Sequence, residues 1–187
     1  MSMPALLARV VEALDQAQIP FMLTGSMAAA WHGAGRATLD IDLVIVVRPD
    51  QVSTFLDALA APDVYVSEEA AREAVAGETM FNVVDTSTGW KVDLIIRKSR
   101  PFSRVEFERR RLIDFDGLQL WVTALEDLII AKLEWAKLGG SARQVEDVSS
   151  MLRIAGTEID KAYLDRWIEA LELHTQWLSA QRGMETW

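Results

Sequence analysis

Apolar positions along this chain alternate between helical and strand spacing as far as Val122 and keep to helical spacing afterwards. Residues 4–17 place Leu6, Leu7, Val10, Val11 and Leu14 at helical intervals, which predicts an amphipathic helix. Pro20 marks entry to a first strand, IPFMLT. Ser26 to His32 reads as a short alanine-rich helix, and Gly33 to Arg36 as a loop. Residues 41–47 are apolar apart from Asp42. A strand apolar on both faces belongs inside a sheet, so this one is predicted to be central.

Gln51 to Ala60 reads as a helix, with Pro49 near its start and Pro62 beyond its end. Val64 to Val66, Thr79 to Asp85, Trp90 to Ile96 and Leu118 to Val122 read as strands, the second and third joined by a Ser-Thr-Gly turn. Thr123 followed by Glu126 matches a capping box. The helix it opens carries Leu125, Ile129 and Ala136 on one stripe, and Lys132 on the same stripe. A lysine on an apolar row commonly snorkels at a rim, yet it says more than one facing water. Gly139-Gly140 closes that helix, Ser141 caps another running to Gly156, and residues 158–183 are helix-forming again. Trp167, Ile168, Leu171, Trp177 and Leu178 are read as packing residues. The expected fold is α/β (α+β), a mixed sheet flanked by helices in residues 1–121 and a helical part in residues 122–187.

Composition narrows the class. Half of the 187 residues are hydrophobic, enough for one domain with a real core. No apolar run is long enough to cross a membrane, and the N-terminus lacks the cationic start and cleavage site of a leader. The chain has no cysteine, so disulfides and thiolate metal sites are excluded. A cytoplasmic protein without membrane partners is expected. The net charge of −9 argues against a uniformly basic surface, but seven of the 19 basic residues fall between Arg97 and Arg111. That run is either a phosphate-binding patch or a solvated face broken by Glu106 and Glu108.

The candidate chemistry begins at Asp40 and Asp42. Residues two apart in a strand project from one face, so both carboxylates would point the same way. That arrangement suits a hard divalent cation such as Mg²⁺. Upstream, Gly25-Ser26 stands between a strand and a helix, where backbone N–H groups can meet a phosphate. Asp93 lies in a second buried-looking strand, WKVDLII. Taken alone an acid-x-acid pair is weak, because a chain this acidic holds about four by chance. The aspartates earn more weight because they open a strand downstream of a Gly-Ser turn. A phosphate cradle beside a metal-binding pair points to nucleotide chemistry.

The order Gly25-Ser26, then Asp40 and Asp42, then Asp93 on a later strand resembles nucleotidyltransferases of the DNA polymerase β type. More narrowly, TLDIDLVI, KVDLII and TALEDLIIAKLEWAKLGGSARQVEDVSSML are similar to the small bacterial AbiEii/AbiGii-type nucleotidyltransferases, over nearly the whole chain. The resemblance assigns Gly25 and Ser26 to the phosphates of a nucleoside triphosphate and Asp40, Asp42 and Asp93 to Mg²⁺ or Mn²⁺. Asp93 would also help activate the attacking hydroxyl. Lys132 and Asp147 would border the nucleotide, Lys132 meeting charge on the departing pyrophosphate. The resemblance implies transfer of a nucleoside monophosphate to RNA or protein, and a toxin silenced by a cognate antitoxin. ATP and the other nucleoside triphosphates are equally compatible donors. A small-molecule nucleotidyltransferase of the aminoglycoside-modifying kind shares the same arrangement, and a non-catalytic nucleotide-binding module is the third reading. Three intact aspartates weigh against that third reading. His32 lacks a partner motif, so a structural or solvent-facing role outweighs a place in the site. Glu126, Asp127 and Glu134 read as a solvated helix face.

Overall fold

The computed structural model describes residues 2–35, 38, 40–115, 117–156 and 158–185. The predicted first helix forms as α1, Met3–Gln16, and buries Leu6, Leu7, Val10, Val11 and Leu14. It leads into β1, Phe21–Thr24, which turns directly into α2, Gly25–Trp31. Arg36, the last residue of the expected loop, lies outside the described residues. Strand β2, Asp40–Ile45, follows, and then a 3₁₀ turn, Pro49–Gln51, which opens α3, Val52–Leu59.

Strands β3 (Val64–Val66), β4 (Met80–Asp85) and β5 (Lys91–Ile96) fall where alternation placed them. Three elements were not anticipated: α4 (Glu68–Gly77), α5 (Pro101–Glu108) and β6 (Arg111–Phe115). Strand β7, Leu118–Val122, completes the sheet. The described chain beyond it forms α6 (Leu125–Gly139), α7 (Ala142–Ala155), α8 (Lys161–Ala170) and α9 (His174–Glu185). The stretch read as helix-forming over 158–183 divides into α8 and α9 at Glu172, which takes a left-handed backbone. No described helix is long and apolar enough to cross a membrane.

The seven strands order as β3-β4-β5-β2-β1-β7-β6, so β2 stands at the centre as its composition predicted. It runs antiparallel to β1 and parallel to β5. Alternation along these strands divides the sheet into two faces. Ile41, Leu43 and Ile45 of β2 and Val92, Leu94 and Ile96 of β5 enter the main core with α1 and α3. The opposite face carries Asp40, Asp42 and Val44 of β2 and Lys91, Asp93 and Ile95 of β5. One end of it is covered by a small apolar cluster of Met22, Val44 and Phe107; the other end carries the carboxylates, under a cavity lined by residues of α6 and α7.

Candidate active site

Parallel pairing of β2 with β5 sets Asp42 beside Asp93 and Asp40 beside Lys91. Asp93 is 6% exposed and Asp42 half-buried, while Asp40 is exposed. The three carboxylates expected from sequence therefore share one face of the sheet. Close approach of the next helix explains the glycine upstream. Gly25 has φ +66, and a Cβ there would lie 1.9 Å from Asp42 Oδ2. Asp42 packs against bare backbone, a place that no other residue can provide.

The electrostatics are strained. Burial first, then the charges of Asp93 and Asp40, push the Asp42 carboxyl up to about 6, against the pull of Lys132 and Lys91. Asp93 Oδ1 is buried without a hydrogen-bond partner among the described residues. Lys91 Nζ stands 3.0 Å from Asp93 and 3.7 Å from Asp40. With that ammonium between them, no group of three acidic or histidine side chains among the described residues closes into a metal-binding arrangement as it stands. The donor set nonetheless fits a hard dication. It is all oxygen, it is short of positive charge, and one buried oxygen is unsatisfied.

A cavity of about 320 Å³ opens over the carboxylates, lined by Gly25, Ser26, Asp40, Asp42, Asp93 and Lys132. It gathers every residue the sequence assigned except Asp147. Lys132 is 3% exposed and does not snorkel. It donates to Gln144 Oε1 at 3.0 Å and to Asp147 Oδ2 at 2.7 Å. Asp147 thus holds Lys132 from behind and is not among the lining residues. Trp135, Arg143 and Gln144 line the same cavity and were missed. They come from α6 and α7, and only tertiary packing brings them over the sheet. Lys91 could have been found, because it precedes Asp93 by two residues and must share its face.

No known family pattern matches the chain, and no curated protein matches it in sequence. Solved structures do match in shape. A nucleotidyltransferase-like protein from Paracoccidioides brasiliensis superposes with TM-score 0.58 at 19% identity, over 97% of this chain and 92% of that one. The antibiotic-resistance factor ANT(2'')-Ia, in its solution structure, gives TM-score 0.57 at 13% identity over 95% of both chains. The same factor in complex with adenylyl-2''-tobramycin gives 0.56 at 12% identity, over 92% of this chain and 97% of that one. This chain has the nucleotidyltransferase fold.

Around the cavity, other polar and charged residues make structural contacts. Thr123 does not cap α6; its hydroxyl and its N–H both donate to Leu23 O at 2.9 Å, tying β7 to β1. Glu126, Asp127 and Glu134 are buried or nearly so, not a solvated face. Asp127 is fully buried and accepts from Arg109 Nε at 2.8 Å and from the Tyr163 hydroxyl. Glu126 accepts from Arg109 Nη2 at 3.1 Å and from Asp160 N at 3.2 Å. Glu134 pairs with Arg100 through two contacts of 2.5 Å. Arg110 lies over the rings of Phe107 and Trp121 at 4.1 and 4.7 Å. The basic run is therefore neither of its two expected forms throughout: three of its arginines are spent on internal contacts. His32 Nε2 lies 2.8 Å from Thr123 O, a structural tie.

Proposed function

We propose that the protein is a metal-dependent nucleotidyltransferase, moving a nucleoside monophosphate from a nucleoside triphosphate to a hydroxyl of RNA or protein. The observation that carries this reading is the set of three carboxylates on one sheet face, with a buried unsatisfied oxygen on Asp93. The cavity above them also holds Lys132 and Arg143. Asp40, Asp42 and Asp93 would hold Mg²⁺ or Mn²⁺, which supplies the positive charge that in-line displacement at phosphorus demands.

The chain's own side chains carry the rest. Gly25 and Ser26 stand where the triphosphate would enter. Lys132, locked by Gln144 and Asp147, presents a fixed cation to the charge that grows on departing pyrophosphate. Because it is already oriented, little reorganisation accompanies the reaction. Arg143, exposed at the cavity rim and without a partner among the described residues, adds a second cation. Asp93 would orient the attacking hydroxyl and draw its proton through Oδ1.

The narrower resemblance to the AbiEii/AbiGii type adds a toxin role held in check by an antitoxin. One observation favours a second reading, a small-molecule acceptor: the fold is shared with a protein that binds adenylyl-2''-tobramycin. Arg97 and Lys98 beside the cavity favour an anionic acceptor instead.

Label transfer tests the proposal. Wild type and Asp42→Asn are incubated with Mg²⁺ or Mn²⁺, each α-labelled nucleoside triphosphate, total RNA and cell protein. Wild type moves label to RNA or protein, and Asp42→Asn falls by about a thousandfold or more. Equal transfer by the two proteins would sink the reading.

A further inference from the structure

Val44 follows Asp42 by two residues and Ile95 follows Asp93 by two, so both continue the carboxylate face about 7 Å further along their strands. A recess of about 100 Å³ opens there, sharing Thr24, Ile95, Ala131 and Trp135 with the larger cavity. It is too small for a whole nucleotide. Val44 and Ile95 make its floor apolar, and the half-exposed Trp135 indole forms one wall.

Glu106 of α5 lines this recess at 7% exposure, and no hydrogen-bond donor among the described residues reaches its carboxyl. That is unlike its neighbour Glu134, whose two oxygens are taken by Arg100. Burial, then the charges of Asp127 and Glu134, push Glu106 up to about 8 against the pull of Arg100. In its protonated form the carboxyl can donate one hydrogen bond and accept another. A largely buried carboxyl that no described protein group hydrogen-bonds, lining a mostly apolar recess beside an aromatic plane, suits a flat ligand with a polar edge. A cationic amine fits less well, because Arg97 and Lys98 stand around the same recess.

We propose that the recess is a nucleobase subsite, where the ring lies against Trp135 and turns its N–H edge to Glu106. The proposal rests on the nucleotidyl-transfer reading of the adjoining carboxylates. The base belongs either to the incoming nucleotide or to the end of a polynucleotide acceptor, and the chemistry of recognition is the same.

Equilibrium binding without turnover separates these cases. The probes are the four nucleoside triphosphates, inorganic tripolyphosphate, a short oligoribonucleotide and spermidine, each with Mg²⁺. The proteins are wild type, Glu106→Gln and Trp135→Leu; the second variant, at a half-exposed position, keeps the test valid should the first disturb packing. If the donor's base occupies the recess, both variants lose about tenfold or more in affinity for at least one triphosphate and none for tripolyphosphate. If the acceptor's base occupies it, the same loss falls on the oligoribonucleotide while the triphosphates bind as before. Nucleotide and oligoribonucleotide binding indifferent to both substitutions overturns the subsite alone, as does spermidine binding that depends on Glu106. Wild type that binds neither triphosphates nor oligoribonucleotide overturns the subsite and the transfer reading together.

Discussion

Two acidic clusters meet α6, one through Asp127 and one through Lys132, and they solve opposite problems. In the Asp127–Glu126 pair every carboxylate oxygen is answered: Arg109 and Tyr163 hold Asp127, and Arg109 with the Asp160 backbone holds Glu126. Around Asp42 the count falls short. Asp93 Oδ1 has no partner among the described residues, and the proximity of Asp93 and Asp40 adds to burial in pushing Asp42 up to about 6. Asp127 is also pushed up by burial, but hydrogen bonds from Tyr163 and Arg109 work against it. The first cluster is finished within the fold; the second is completed only by something that arrives. Burial of charge alone does not mark a site. Incomplete compensation does.

The comparison can be broken by substitution, and the largest effect belongs to the strained cluster. Asp42→Asn, already expected to abolish transfer, should raise the melting temperature measured in chelator, because it removes repulsion among the three carboxylates. A fall in melting temperature would make Asp42 a structural residue. Asp127→Ala should do the reverse, destabilising the protein by about 3–5 kcal/mol in denaturant unfolding by leaving the Tyr163 hydroxyl without its acceptor and Arg109 with Glu126 alone. Any activity lost should return in proportion to the folded fraction.

The smallest effect is read at high pH. Glu106 keeps its proton to about 8 when folded, against an ordinary value of 4.5. The folded state therefore binds more protons between those values, and stability falls as pH rises through that window. Glu106→Gln should lack this decline and exceed wild type by about 1–3 kcal/mol near pH 9, with little difference at the acid end. Parallel stability curves for the two proteins would mean that the folded protein does not hold Glu106 protonated.

Much of this was legible from residue order. The apolar run through Asp42 placed β2 inside the sheet, and period-two alternation put Asp40, Asp42 and later Asp93 on faces that the parallel register then brought together. What escaped had weak local contrast or none. Helix α4 is rich in alanine and glutamate and buries only Ala71 and Ala74, although Ser67, which accepts from Ala70 N, was a legible cap. In α5 the conspicuous arginines drew the eye from the packing of Phe102 and Phe107. The burial of Asp127 could not be read from α6, since its partners Arg109 and Tyr163 lie 18 and 36 residues away. Trp135, Arg143 and Gln144 joined the site for the same reason: packing of α6 and α7 over the sheet is a long-range outcome.

Strand β2 is the fourth of seven. With three strands on each side of it, fraying that begins at β3 must undo two strands before it meets Asp93 on β5, and fraying from β6 must undo three before it meets Asp40 and Asp42. Amide protons of β2 and its neighbours should be among the last to exchange with solvent, and the edges among the first. Sequence drift is accordingly cheap at the rims and expensive in the middle, so this chain can diverge far from others of its shape and still keep its carboxylates in register.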